Sequence, residues 1–346
     1  MRIVKRALLV LAVIALLAWL AFTFSVWPGA MLVRATFKDG GEQMHAGLVP
    51  FERSDVEVIA NESYLDGDAD ALMDVYLPKG LAADSLLPVI VWTHGGGWIG
   101  GDKSKMRGYL MQLAAQGYAV VAVNYSRSPE QRYPTPLRQI SAALSHLILH
   151  GTRLHADIRR VFLAGDSAGA QLTAQMAAII TDPVHAKEVD IAPALRPDQL
   201  RGLILHCGLY DMPTYVQRAD AAGGFIGYAA NMLPWAYLGE KRPSEEALRM
   251  ISPIHQATAA FPPVFISGGN GDPLTAHQSR PMAARLKQLG LEVNELFFPD
   301  DHVPALPHEY QFTLSEPDAQ TALEMSLAFL KTHAVMEPAT VDPAQW

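Results

Sequence analysis

The chain has 346 residues, about half of them apolar, enough to bury a large core as one domain with an appendage. Its formal charge of −8, with no basic run beyond the extreme N-terminus, excludes phosphate-backbone binding, which needs clustered Lys and Arg. A single cysteine, Cys207, excludes an intramolecular disulfide.

At the N-terminus, Arg2, Lys5 and Arg6 precede an uncharged, almost wholly apolar run from Ala7 to Trp27, long enough to cross a bilayer core as a helix. The run has no polar face or period, which argues against a buried helix of a soluble domain. It ends in Ser25-Val-Trp-Pro-Gly29 with bulky neighbours, so a retained anchor is expected, with a cleaved signal peptide as the alternative. Three basic residues before the run outweigh Arg34 and Lys38 after it, which predicts a cytoplasmic N-terminus and the remainder of the chain across the membrane.

Pro28 to Asp70 reads as a tether leading into a first strand near Val56 to Asn61, followed by strands over Leu72 to Leu77 and Leu87 to Thr93. The last is a continuous apolar run of the kind that is buried on both faces. Beyond it helices and strands alternate. Helices are predicted over Ser104 to Gln116, Pro136 to His150 and Ala168 to Ile180, with strands over Tyr118 to Tyr125 and Arg160 to Ala164. Strands at Leu203 to Cys207, Val264 to Ser267 and Val293 to Phe298 continue the rhythm, with helices near Ala276 to Leu289 and Ala319 to Thr332. This alternation predicts a mostly parallel sheet with helices on both faces. The stretch from Tyr210 to Pro262 is too long and too apolar for a simple connection. It is expected to form a partly helical cap, the alternative being an ordinary crossover with apolar decoration.

Gly165-Asp-Ser167-Ala-Gly169 stands between an apolar strand and an Ala-rich helix, the context in which Gly-x-Ser-x-Gly forms a strained turn that exposes the serine. A serine hydroxyl is a weak nucleophile unless a base takes its proton and a carboxylate orients that base. Asp272, just past a predicted strand, is the chosen acid, with Asp211 as its competitor and helix capping as the duller role for Asp211. His302, after the last strand, is the chosen base and gives the order Ser, Asp, His; His308 is the fallback. The amides of Gly96, Gly97 and Ala168 are candidate oxyanion donors, His94 is expected to brace their loop, and Trp98 to wall the acyl pocket, with simple packing as its alternative. No histidine spacing suits a metal site. Gly95-Gly-Gly97-Trp-Ile-Gly100 also fits a dinucleotide-binding pattern, but Asn124 and Arg127 stand where an acidic residue is expected. That leaves an NADP-dependent oxidoreductase as a remote alternative.

His94-Gly-Gly-Gly97 and Gly165-Asp-Ser167-Ala-Gly169, in this order, together with Asn124-Tyr-Ser-Arg-Ser-Pro129-Glu130, resemble the hormone-sensitive-lipase-like carboxylesterases of the α/β-hydrolase superfamily. The likeness runs from about Leu72 to Thr332 and extends more loosely to kynurenine formamidases, prenylcysteine methylesterases and acetyl or feruloyl esterases. It implies an α/β-hydrolase fold, a triad of Ser167, Asp272 and His302, a small-molecule ester substrate and no cofactor. His302 is followed by Val-Pro-Ala rather than the commoner Gly-Phe. The expected organisation is an anchor and flank at 1–34, a tether and first strand at 35–70, a catalytic domain at 71–334 with a cap near 210–262, and a tail at 335–346. Amidase chemistry on the same residues, and a non-catalytic small-molecule receptor, remain the other readings.

Overall fold

A computed structural model describes residues 2–335, so all of the expected tail but Val335 lies outside the described residues. Its centre is an eight-stranded sheet: β1 (Val56–Ser63), β2 (Leu72–Pro78), β3 (Leu87–Thr93), β4 (Ala119–Val123), β5 (Ala156–Asp166), β6 (Leu200–His206), β7 (Val264–Gly268) and β8 (Val293–Phe297). The spatial order is β1-β2-β4-β3-β5-β6-β7-β8. β1 and β2 pair antiparallel, and β3 to β8 run parallel.

Side chains alternate across the pleat, and β3 shows the result. Val89 and Val91 join the core on one face with Val121, Leu163 and Leu205, while Ile90 and Trp92 join the other with Val120, Phe162 and Phe265. Both sets are fully or almost fully buried, each large side chain contributing roughly 1.5–3 kcal/mol.

The helices, in chain order, are α1 (Arg2–Phe24), α2 (Trp27–Leu48), α3 (Arg107–Ala114), α4 (Thr135–His150), α5 (Ala168–Thr181), α6 (Pro183–Glu188), α7 (Met212–Ala222), α8 (Gly224–Leu238), α9 (Glu245–Met250), α10 (Pro253–Gln256), α11 (Arg280–Gln288) and α12 (Pro317–His333). α4, α5 and α11 cover one face of the sheet, and α3 and α12 the other. α1 buries none of its residues and is long and apolar enough to cross a membrane.

Two expectations change here. The supposed tether is largely the helix α2, which runs through the 34/35 boundary. Gly29 lets it pack directly on Tyr228 and Met232 of α8, and Leu48 closes on Gly108 of α3. Arg34 fixes its middle, donating to the Ile99 carbonyl at 2.8 Å and to both Glu130 carboxylate oxygens at 2.6 Å. The expected cap at 210–262 also divides in two. Only α7 and α8 stand over the sheet edge, with α2 beside them. α9 and α10 are held to α5, where Gln171 and Gln175 donate to the carbonyls of Ile251 and Met250 at 2.9 Å; this part is an ordinary crossover.

Candidate active site

β5 ends in the turn that carries Ser167 at φ 51°, ψ −122°, a conformation a non-glycine residue holds only under strain imposed by its surroundings. Gly169 is required for the turn, because a Cβ there would lie 2.0 Å from the Thr93 carbonyl oxygen. Strand β3 and helix α5 therefore meet with no room for a side chain, and the hydroxyl is held at the carboxyl edge of the sheet, at the N-terminus of α5.

His308 Nε2 lies 3.0 Å from Ser167 Oγ, and His308 Nδ1 lies 2.8 Å from Asp272 Oδ2. The Asp272 side chain is fully buried, and its other oxygen accepts from the Leu274 amide at 2.9 Å. Asp272, the acid chosen from the sequence, is thus hydrogen-bonded to His308. Asp211 instead caps α7, accepting from the Thr214 amide and hydroxyl.

The expected base, His302, is not beside Ser167. Its Nε2 pairs with Asp318 Oδ2 at 2.9 Å and its ring lies 4.6 Å from that of Phe298. The reason is the path of the chain after β8. Asn270, in the loop after β7, donates to the His302 carbonyl at 2.9 Å and accepts from the Leu306 amide at 2.8 Å, while the Gly271 amide donates to the Leu306 carbonyl at 2.9 Å. Gly269 permits this seam, since a Cβ there would meet the Leu306 oxygen at 2.2 Å. The acid loop therefore holds the following loop flat until His308 arrives over Asp272. The three prolines at 299, 304 and 307 are the sequence signal of such an extended excursion.

His308 feels opposing influences. Burial disfavours its charged form, while the Cys207 sulfur, the Asp272 carboxylate and Glu309 favour it, and the net effect raises its pKa well above the usual value. Burial pushes the Cys207 thiol itself up to about 11.

On the facing loop, Gly96 and Gly97 adopt φ of 105° and 58°, and both line the cavity over Ser167. Among the described residues, the amides of Gly96, Gly97 and Ala168 donate to no protein acceptor. The loop is clamped to the serine turn by Asp166, whose carboxyl oxygens accept from Trp92 Nε1 at 2.9 Å and the Gly95 amide at 2.8 Å. Burial and the nearby Glu309 carboxylate push the Asp166 pKa up. His94 stacks on Tyr125 at 4.5 Å and bonds the Gly95 carbonyl. Burial lowers its pKa, in keeping with a neutral brace.

Trp98 does not wall the pocket. At φ 61° its indole turns inward, stacks on Tyr237 at 4.7 Å and donates to Gln171 Oε1 at 2.9 Å. The walls of the cavity, about 450 Å³, come instead from Thr36, Phe37 and Met44 of α2, Tyr215 of α7 and Leu233 of α8. The α2 contribution was hidden in the sequence by the glycines and the proline of Trp27 to Leu48, which obscure the helix.

A serine hydroxyl, an imidazole and a buried carboxylate in hydrogen-bonded series, facing unengaged amides, can move a proton and receive an oxyanion. Residues 90–303 match the protein-family profile described as the alpha/beta hydrolase fold. The chain belongs to the α/β-hydrolase fold family. Esterase LipI of Mycobacterium tuberculosis is 29% identical over 71% of this chain and 75% of its own length. Carboxylesterase NlhH of the same species is 31% identical over 77% of this chain and 79% of its own. Esterase B from Lactobacillus rhamnosis superimposes with a TM-score of 0.74 at 22% identity, covering 89% of this chain and 96% of that one. This α/β-hydrolase falls in the carboxylesterase group and is an enzyme of carboxylesterase type.

Proposed function

We propose that the enzyme cleaves carboxylic esters through an acyl-enzyme on Ser167, with His308 as the base and Asp272 as its orienting acid. The observation that carries the reading is the unbroken hydrogen-bonded series from Ser167 Oγ through both His308 nitrogens to Asp272. Ser167 Oγ bonds to the ester carbonyl carbon as its proton passes to His308 Nε2. The oxyanion is received by the amides of Gly96, Gly97 and Ala168. The carbon–oxygen bond to the alcohol then breaks, and the alkoxide takes the proton from His308. Water attacks the acyl-enzyme by the same relay and releases the acid.

The organisation we infer is a membrane anchor in α1, a roof made of α2, α7 and α8, and the catalytic sheet beneath. α1 is uncharged and almost wholly apolar from Ala7 onward and buries none of its residues, and Arg2, Lys5 and Arg6 at its N-terminal end favour placing the catalytic domain on the non-cytoplasmic side. Hydrolysis of p-nitrophenyl esters from acetate to palmitate, by the chain and by Ser167→Ala and His308→Ala, tests the chemistry. Activity surviving Ser167→Ala overturns it. Membrane retention after alkaline and high-salt washing tests the anchor.

A further inference from the structure

The cavity over Ser167 shares part of its wall with a neighbour. Thr36, Phe37 and Leu233 also line a second crevice of about 310 Å³ between α2 and α8, completed by Leu32, Val33, Phe225, Tyr228 and Ala229 among others. Among the described residues no Asp, Glu, Lys, Arg or His lines it, so its surface suits hydrocarbon and offers no charge for a polar leaving group. From Phe24, the last residue of α1, to Phe37 is about 20 Å along a helix, and the crevice lies along α2 within that length, from Gly29 to the Phe37 it shares with the serine cavity.

Phe225, which lines the crevice, belongs to a set of exposed apolar side chains on α8 and at the α1–α2 joint. Phe225 and Ile226 are 71% and 73% exposed at the start of α8, and Phe24 and Trp27 are exposed beside the joint of α1 and α2. Exposed apolar side chains of this size, in two short stretches of the chain, suit a contact with an apolar phase. α8 is tied to the end of α1, where the Tyr228 hydroxyl donates to the Phe22 carbonyl at 3.4 Å and Lys241 Nζ donates to the Thr23 carbonyl. Aromatic and lysine side chains at the end of an apolar span are the residues that settle at a membrane–water interface. A short water-borne ester needs only the space over Ser167 and leaves the crevice without a role.

We propose that the α2–α8 crevice is an acyl-chain entrance that opens sideways at the bilayer surface, and that the enzyme draws long-chain esters directly from the membrane to Ser167. The proposal rests on the esterase and anchor readings above. The occupant is the hydrocarbon chain of a membrane-dissolved ester, its carbonyl at Ser167 and its tail lying back along Phe37, Leu233 and Leu32 toward Phe225.

The test uses the full chain in phosphatidylcholine vesicles with two esters of one leaving group, p-nitrophenyl palmitate dissolved in the bilayer and p-nitrophenyl butyrate in the water. Ala229→Trp fills the crevice; the exposed pair Phe225→Ser and Ile226→Ser removes the mouth without touching the core. The expected result is a palmitate-to-butyrate ratio of kcat/KM that falls tenfold or more in both variants. An unmoved ratio with butyrate still hydrolysed, or a parent enzyme that turns over butyrate but not palmitate, overturns the crevice alone. Absence of turnover of both esters in the parent overturns the esterase reading and this proposal together.

Discussion

His308 Nε2 stands 3.0 Å from the Ser167 hydroxyl oxygen, across 141 positions of sequence. His302, the nearer histidine to β8 in the chain, spends its Nε2 on Asp318. His308→Ala should therefore lower kcat by a factor on the order of 10³ to 10⁶, in the range seen for loss of a triad member. His302→Ala should leave kcat within a few-fold and cost some stability through the lost Asp318 contact. Steady-state hydrolysis of a short p-nitrophenyl ester by both variants checks this, and the reverse pattern would remove His308 from the mechanism.

Asp272→Asn should keep the fold and lower kcat by about 10⁴, since the amide favours the wrong imidazole tautomer. Asp211→Ala should instead show its cost in unfolding, about 1 kcal/mol for a lost helix cap, with little change in kcat. Urea denaturation beside kinetics separates the two carboxylates.

The pH profile follows from the charges around His308. The imidazole acts as base only when unprotonated, and its pKa is raised. The acid limb of kcat/KM should therefore lie above pH 6.5, about the value of a free imidazole. Glu309 Oε1 is 3.8 Å from Nε2, so Glu309→Gln removes a charge that stabilises the imidazolium, and the limb should move to lower pH. A limb that stays in place in Glu309→Gln would show that Glu309 does not set it.

Lys103 and Asp74 form an ion pair at 2.6 Å with side chains only 5% and 9% exposed, and Lys103 also donates to Asn61. Removing one partner strands a buried charge, so Asp74→Ala should cost about 3–5 kcal/mol. The paired change Asp74→Leu with Lys103→Met should recover much of that loss. Denaturant midpoints at constant m-value measure both.

What the sequence revealed and what it hid divide along one line. β3 was legible to the residue, because a run such as Leu87 to Thr93 has one place to go, between two covered faces. The serine turn was legible because its glycines answer local steric demands. His302 and His308 are six residues apart in a loop without periodicity, and the choice between them is made by Asn270 and Gly269 on another loop. Trp98 was misplaced for a similar reason: its direction is set by a positive φ and by Gln171 and Tyr237, none of them its sequence neighbours. α2 carries Pro28 and glycines at 29, 40, 41 and 47, a poor helix by propensity. It is helical because α8 and α3 give it something to pack on.

Only Ser25 and Val26 separate α1 from α2, and the hydrogen bonds Ser25 N to Ala21 O and Ala30 N to Val26 O carry the helical ladder into and out of that joint. α1 and the α2 part of the roof over Ser167 are therefore close to a single jointed rod. On the anchor reading, any tilt of α1 is carried across a two-residue joint into the helix that bears Phe37 and Met44 above the serine.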